Sequence, residues 1–137
     1  MNTPVDILLI EDNLDDAELA LHALRKSNLG AHVIHLRDGD EALTYMFDST
    51  TSKPRVILLD LKMPKVDGIE VLRALKSRRE FSTIPVVMLT SSQEEQDIVE
   101  TYQLGVNAYI VKPVDFGKFD ETMNQLGQFW LHINHQP

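Results

Sequence analysis

Five strand-like runs alternate with five stretches of helical periodicity along this chain, and that alternation fixes the fold class. The runs are Val5 to Ile10, His32 to Leu36, Val56 to Leu59, Val86 to Leu89 and Ala108 to Val111. Ile7 to Ile10, Val56 to Leu59 and Ala108 to Val111 are continuous apolar stretches, the pattern of strands buried on both faces. Between the runs, apolar residues recur at helical spacing. Leu14, Ala17, Leu21 and Leu24 mark a first helix, and Ala42, Leu43, Met46 and Phe47 a second. Ile69, Leu72 and Leu75 mark a third, ending near Arg78, and Ile98, Val99 and Tyr102 a fourth. Phe116, Phe119, Met123, Leu126 and Trp130 lie on one side of a fifth. Strands alternating with helices predict an α/β domain, a parallel sheet covered on both faces with right-handed crossovers.

The punctuation agrees. Asn13 is suited to cap the first helix, and Asn28-Leu29-Gly30 to stop it. Asp38 and Glu41 stand at capping-box spacing, as do Ser92 and Glu95. Pro85 opens the fourth strand and Gly105 closes the fourth helix. Asp48 to Pro54 and Asp60 to Asp67 read as loops. No repeat, linker or low-complexity segment interrupts residues 1–137, so a single domain is expected, with no room for an output domain after Lys112.

Composition narrows the function. The apolar fraction is 43%, enough to bury a core, and no apolar stretch approaches the ~20 residues of a membrane span. There is no cysteine, hence no disulfide and no thiolate metal site, and no export signal is visible. A cytoplasmic protein is the expectation. The net charge of −8 disfavours binding to nucleic acid or to an anionic membrane. Within the acidic segment, Asp15, Asp16 and Glu18 read as complements to a helix dipole. Glu11 and Asp12 come before the helix and need another reason.

In open parallel sheets, function collects beyond the carboxyl ends of the strands. Glu11 and Asp12 follow strand 1, Asp60 follows strand 3, Thr90 ends strand 4 and Lys112 follows strand 5. Three carboxylates brought together repel one another, and a hard divalent ion such as Mg²⁺ relieves this. The main-chain carbonyl of Lys62, two residues beyond Asp60, is within reach of such an ion. Asp60, after the central strand, is the carboxylate placed to attack phosphorus. Lys112 is suited to hold a phosphate oxygen and Thr90 to donate to one. Lys112-Pro113 is a candidate cis bond that would aim the lysine.

The chain resembles the receiver domains of bacterial two-component response regulators, the chemotaxis-regulator type. The likeness rests on Glu11-Asp12, Asp60, Met63-Pro64-Lys65-Val66-Asp67-Gly68, Leu89-Thr90-Ser91 and Tyr109-Ile110-Val111-Lys112-Pro113. It implies a flavodoxin-like doubly wound (βα)5 fold, the five-stranded parallel sheet ordered 2-1-3-4-5. It implies Mg²⁺-dependent transfer of a phosphoryl group from a sensor histidine kinase to Asp60, Mn²⁺ or Ca²⁺ being able to substitute. It further implies that Thr90 and Tyr109 form a switch pair. The domain would be no conventional enzyme, catalysing only its own phosphorylation and dephosphorylation. Glu11-Asp12-Asn13, Pro64 to Gly68, Leu104-Gly105-Val106-Asn107 and Phe129-Trp130-Leu131 are similar to the single-domain regulators paired with bacterial phytochromes, which makes a bacteriophytochrome the expected kinase.

Phe129, Trp130, Leu131 and Ile133 supply more apolar surface than one helix face can bury. A homodimer through helix 4, strand 5 and helix 5 is expected, with Tyr109, Phe129 and Trp130 on its face. His132 and His135 read as part of a terminal segment, not a metal site. Three other readings are weaker. An aspartyl phosphatase wants an acid where Lys62 stands. A flavin protein wants a phosphate-binding loop where Glu11-Asp12-Asn13-Leu14 stands. A docking module that is never phosphorylated would not need five reactive positions intact.

Overall fold

The computed structural model describes residues 4–27 and 31–137. Strands β1 (Ile7–Ile10), β2 (Val33–Leu36), β3 (Val56–Leu59), β4 (Val86–Thr90) and β5 (Ala108–Val111) form one parallel sheet in the order β2-β1-β3-β4-β5. Helices α1 (Leu14–Lys26), α2 (Gly39–Phe47), α3 (Gly68–Lys76), α4 (Glu95–Gln103) and α5 (Phe116–Gln128) alternate with the strands. A π-helical turn, Phe129–Ile133, extends α5. This is the expected flavodoxin-like (βα)5 architecture.

The pleat sorts the core into two layers. Leu8, Ile10, Ile57, Leu59, Val86 and Met88 face one side with Ala42, Met46, Val71, Leu72 and Leu75. Ile7, Leu9, Val56, Leu58, Val87 and Leu89 face the other with Ala17, Ala20, Ala23, Leu24, Phe119, Met123 and Leu126. Alternate residues of an unbroken apolar run therefore feed opposite layers, as strands covered on both faces require.

Several expectations need correction. β5 is half-buried throughout, because the strand order leaves it at an edge. Leu14 is 56% exposed and Leu21 half-buried; Ala17 and Leu24 are buried as expected, and Ala20 and Ala23 complete the packing face of α1. Small side chains there bring α1 close to α5. On α4 the expected stripe faces outward, Val99 at 47% and Tyr102 at 50% exposed, while Thr101 is buried. Phe116 is also exposed. The Glu41 carboxylate of the expected capping box accepts from Arg37 N–H at 2.7 Å, while Asp38 caps Glu41 N–H as expected. α3 stops at Lys76, with Ser77 as its C-cap. The Lys112–Pro113 peptide is trans. The stop at Asn28-Leu29-Gly30 lies outside the described residues. Gly105 closes α4 with φ +102°, a conformation that favours glycine.

Candidate functional site: an acidic rim at the carboxyl ends of the strands

Register builds the site. Ile10 pairs with Leu36 on one side and Leu59 on the other, so the residues after β1 and β3 emerge side by side. The Asp60 N–H donates to the Ile10 carbonyl at 3.0 Å, and the Glu11 N–H donates to the Leu36 carbonyl at 3.0 Å. Thr90 pairs with Val111, and the Lys112 N–H donates to the Thr90 carbonyl at 2.8 Å. Backbone pairing thus delivers Glu11, Asp60, Thr90 and Lys112 to a single rim before any side chain is considered.

There, one oxygen from each of Glu11, Asp12 and Asp60 lies within 4.8 Å of the other two. Oxygens on opposite sides of Mg²⁺ stand about 4.2 Å apart, twice the ~2.1 Å bond. The three carboxylates therefore need only a small side-chain rotation to share one ion. Glu11 and Asp60 are buried, 2% and 7% exposed, while Asp12 is open to solvent. The donor set is entirely hard oxygen, which fits Mg²⁺, Ca²⁺ or Mn²⁺ and not a soft metal.

Lys112 reaches into the same rim. Its ammonium donates to Glu11 Oε1 and, at 2.8 Å, to Asp16 Oδ2, and it stands 3.8 Å from Asp60 Oδ2. Burial alone would push Lys112 down, but the bonds to Asp16 and Glu11 and the field of Asp60 outweigh it and hold the ammonium above its ordinary range. Burial, with the neighbouring Asp60 carboxylate, pushes Glu11 up to about 8 against the pull of Lys112. One ammonium does not neutralise this cluster. A divalent ion would.

Asp16 is the residue that sequence reasoning missed. Its spacing predicts a complement to the dipole of α1, and it does lie in the first turn, yet its carboxylate also binds Lys112. Its partner Lys112 is 96 residues away, so local spacing carried no signal of it. Asp60 Oδ1 accepts from the Leu61 N–H at 2.8 Å, leaving its other oxygen toward the rim. Thr90 is fully buried, and its Oγ1 accepts from the Ser92 N–H at 3.3 Å. Tyr109 is half-buried and donates its hydroxyl to the Ser92 carbonyl at 3.0 Å. The Lys62 side chain points to Asp97, 4.0 Å away. Phe129 is 44% exposed and stacks edge-on against half-buried Trp130.

Ser92 does not cap α4 as expected. The cap position falls to Glu94, which makes no side-chain bond there, because the helix starts at Glu95 itself. Ser92 instead donates its hydroxyl to Asp97 Oδ2 at 2.6 Å.

A parallel five-stranded sheet with an acidic cluster and a lysine at this rim has the groups that metal-assisted phosphate chemistry requires. The response regulator receiver domain model matches residues 7–124, and the chain belongs to that family, whose function is to accept a phosphoryl group from a histidine kinase with a divalent metal ion. The probable methanogenesis regulatory protein FilR2 of Methanothrix harundinacea is 39% identical, the match covering 98% of this chain and 88% of that one. The structure of the phosphorylated cyanobacterial phytochrome response regulator RcpA superposes with a TM-score of 0.92 at 38% identity, covering 98% and 99% of the two chains. The Mn²⁺-bound form of response regulator Rcp1, a protein of Synechocystis, gives 0.91 at 36% identity over 98% and 99%. The bacteriophytochrome response regulator RtBRR is 50% identical, with a TM-score of 0.75 over 98% and 85%. Among the described residues, no helix is long and apolar enough to cross a membrane.

Proposed function

We propose that this chain accepts a phosphoryl group on Asp60, with a Mg²⁺ ion held by Glu11, Asp12, Asp60 and the Lys62 carbonyl. The observation that carries the reading is the convergence of three carboxylates and the Lys112 ammonium from three separate strand ends. The Asp60 carboxylate oxygen attacks phosphorus in line. The phosphorus–nitrogen bond of the donor phosphohistidine breaks, its nitrogen taking back the electron pair, and an acyl phosphate forms. A divalent ion held by these carboxylates would supply charge neutralisation for the transferring oxygens. Lys112 shifts from the carboxylates to a phosphoryl oxygen, and the Thr90 hydroxyl donates to another. That last contact exists only in the phosphorylated form, so it biases the chain toward a second arrangement that Tyr109 follows. Water attack on phosphorus then breaks the bond to the Asp60 oxygen, releasing inorganic phosphate and returning the carboxylate.

The donor in this reading is a bacteriophytochrome histidine kinase in the cytoplasm, as the names of RcpA and RtBRR support. Nucleic acid and membrane are not its partners, given the charge of −8.

The test uses a small acyl-phosphate donor with and without Mg²⁺. The wild type should gain one phosphoryl group in intact mass, labile to hydroxylamine, and only with Mg²⁺. Asp60→Asn should gain none. Labelling of that variant equal to wild type would move the acceptor to another residue.

The proposed output surface is a homodimer face on α4, β5 and α5 that includes Tyr109, Phe129 and Trp130. The exposure of Val99, Tyr102, Phe129 and Ile133 supports it. Sedimentation velocity should show a dimer that Phe129→Asp converts to monomer. A monomer at every concentration, with and without phosphorylation, would rule the dimer out.

A further inference from the structure

We propose that Asp97 is a positioning residue of the Thr90–Tyr109 switch, acting through Ser92 to carry the switch into α4. The inference rests on the phosphoacceptor reading above. Ser92 is the point where four partners meet. Its N–H donates to Thr90 Oγ1 at 3.3 Å, its carbonyl accepts from the Tyr109 hydroxyl at 3.0 Å, and its Oγ donates to Asp97 Oδ2 at 2.6 Å. The same Oγ accepts from the Glu94 N–H at 3.3 Å. A single residue therefore joins both members of the switch pair to the first turn of α4.

The bond to Asp97 is the strongest of these, short and charge-assisted. It also substitutes for a missing cap. α1, α2, α3 and α5 are each capped by the side chain before their first residue, Asn13, Asp38, Asp67 and Asp115. α4 has no such bond, so Ser92–Asp97 is its side-chain tie to the preceding loop. Lys62, two residues beyond Asp60, stands 4.0 Å from the same Asp97 oxygen, but its side chain is 67% exposed and adds little. When the Thr90 hydroxyl turns toward a phosphoryl oxygen, the acceptor of the Ser92 N–H moves. Ser92 follows, and through Asp97 it draws the first turn of α4, the helix that exposes Val99 and Tyr102. Asp97 touches none of the reacting groups, so its loss uncouples the switch without removing the chemistry.

Hydrogen exchange across 95–103, before and after phosphorylation by an acyl-phosphate donor, tests this. The wild type should show a phosphorylation-dependent change in exchange. Asp97→Ala should accept the phosphoryl group at near wild-type rate and lose that change, by a factor on the order of ten in the exchange ratio. Ser92→Ala should do the same, and the double variant should lose no more than either alone. Asp97→Asn keeps an accepting oxygen for Ser92 and should retain most of the change, which a merely structural role for the charge would not give. A full exchange change in phosphorylated Asp97→Ala overturns the proposal. A wild type that takes up no phosphoryl group overturns the phosphoacceptor reading and this one with it; uptake with no α4 response in the wild type overturns this one alone.

Discussion

Lys112→Ala should slow phosphoryl transfer to Asp60 by a factor on the order of 10² to 10³ and, at the same time, tighten divalent cation binding. The two effects have opposite signs because Lys112 does two jobs. In the free protein its ammonium occupies Glu11 and Asp16 and stands 3.8 Å from Asp60, so it competes with an incoming cation for the same carboxylates. Removing it leaves an acidic cluster without its resident ammonium, which an incoming cation then meets without a competitor. During transfer the same ammonium stabilises charge developing on the phosphoryl oxygens. Loss of one such preorganised donor costs about 3–4 kcal/mol in comparable sites. Cation affinity measured by titration and the rate of phosphoryl uptake at saturating Mg²⁺ separate the two roles. Weaker cation binding in the variant would mean that Lys112 organises the carboxylates instead of competing for them.

Gly68→Ala should destabilise the fold by about 3 kcal/mol, seen as a fall in Tm of roughly 10 °C. A Cβ at Gly68 would come within 2.3 Å of the Asp60 carbonyl oxygen and 2.8 Å of the Leu61 Cα. Both are backbone atoms, and Asp60 is pinned by its N–H to Ile10 and its side chain to Leu61. Neither can yield cheaply. Gly68 also closes the loop with an N–H donated to the Leu61 carbonyl at 2.8 Å. The same change should weaken the cation site, since the clash falls on the peptide that carries Asp60. Gly39→Ala should be as severe, its Cβ meeting the Val66 carbonyl at 2.2 Å from the other side of this loop. Thermal unfolding followed by circular dichroism reads both, and a Gly68→Ala variant melting with wild type would show that the loop moves freely.

These two glycines also show where the sequence was legible. Met63 to Gly68 could be read as part of a family motif, but the reason for its glycine is a backbone approach visible only in three dimensions. Strand identity was legible because a buried parallel strand has no polar face, and Ile7 to Ile10 and Val56 to Leu59 are unbroken apolar runs too short for a buried helix. Site membership followed, since register carries the residue after each strand to one rim. Helix faces were less legible. Ala20 and Ala23 complete the packing stripe of α1 but look unremarkable beside Leu14 and Leu21, because hydrophobicity does not report how closely two helices approach. The spacing of Ile98, Val99 and Tyr102 marks a helix, but periodicity alone cannot say that α4 turns Val99 and Tyr102 outward. Asp16 and Asp97 were hidden for a related reason. Acids in the first turn of a helix have a sufficient local explanation, and a long-range partner leaves no mark on local spacing.

Carboxylates distant in sequence should share one ion at this rim. Calorimetric titration of Mg²⁺ into the wild type, Asp12→Asn and Asp60→Asn, at several pH values, measures this. The wild type should bind a single ion, and each variant should lose at least about tenfold in affinity. Glu11, pushed up to about 8, should release a proton as the ion binds at pH 7, so affinity should rise with pH and level off above about 8. The stability sign agrees: Glu11 has a folded value above its ordinary 4.5, so its contribution is full below 4.5 and is lost as pH rises through about 8, where the ion restores it. Unchanged affinity in Asp12→Asn and Asp60→Asn, with no proton released, would contradict a shared cation at this rim.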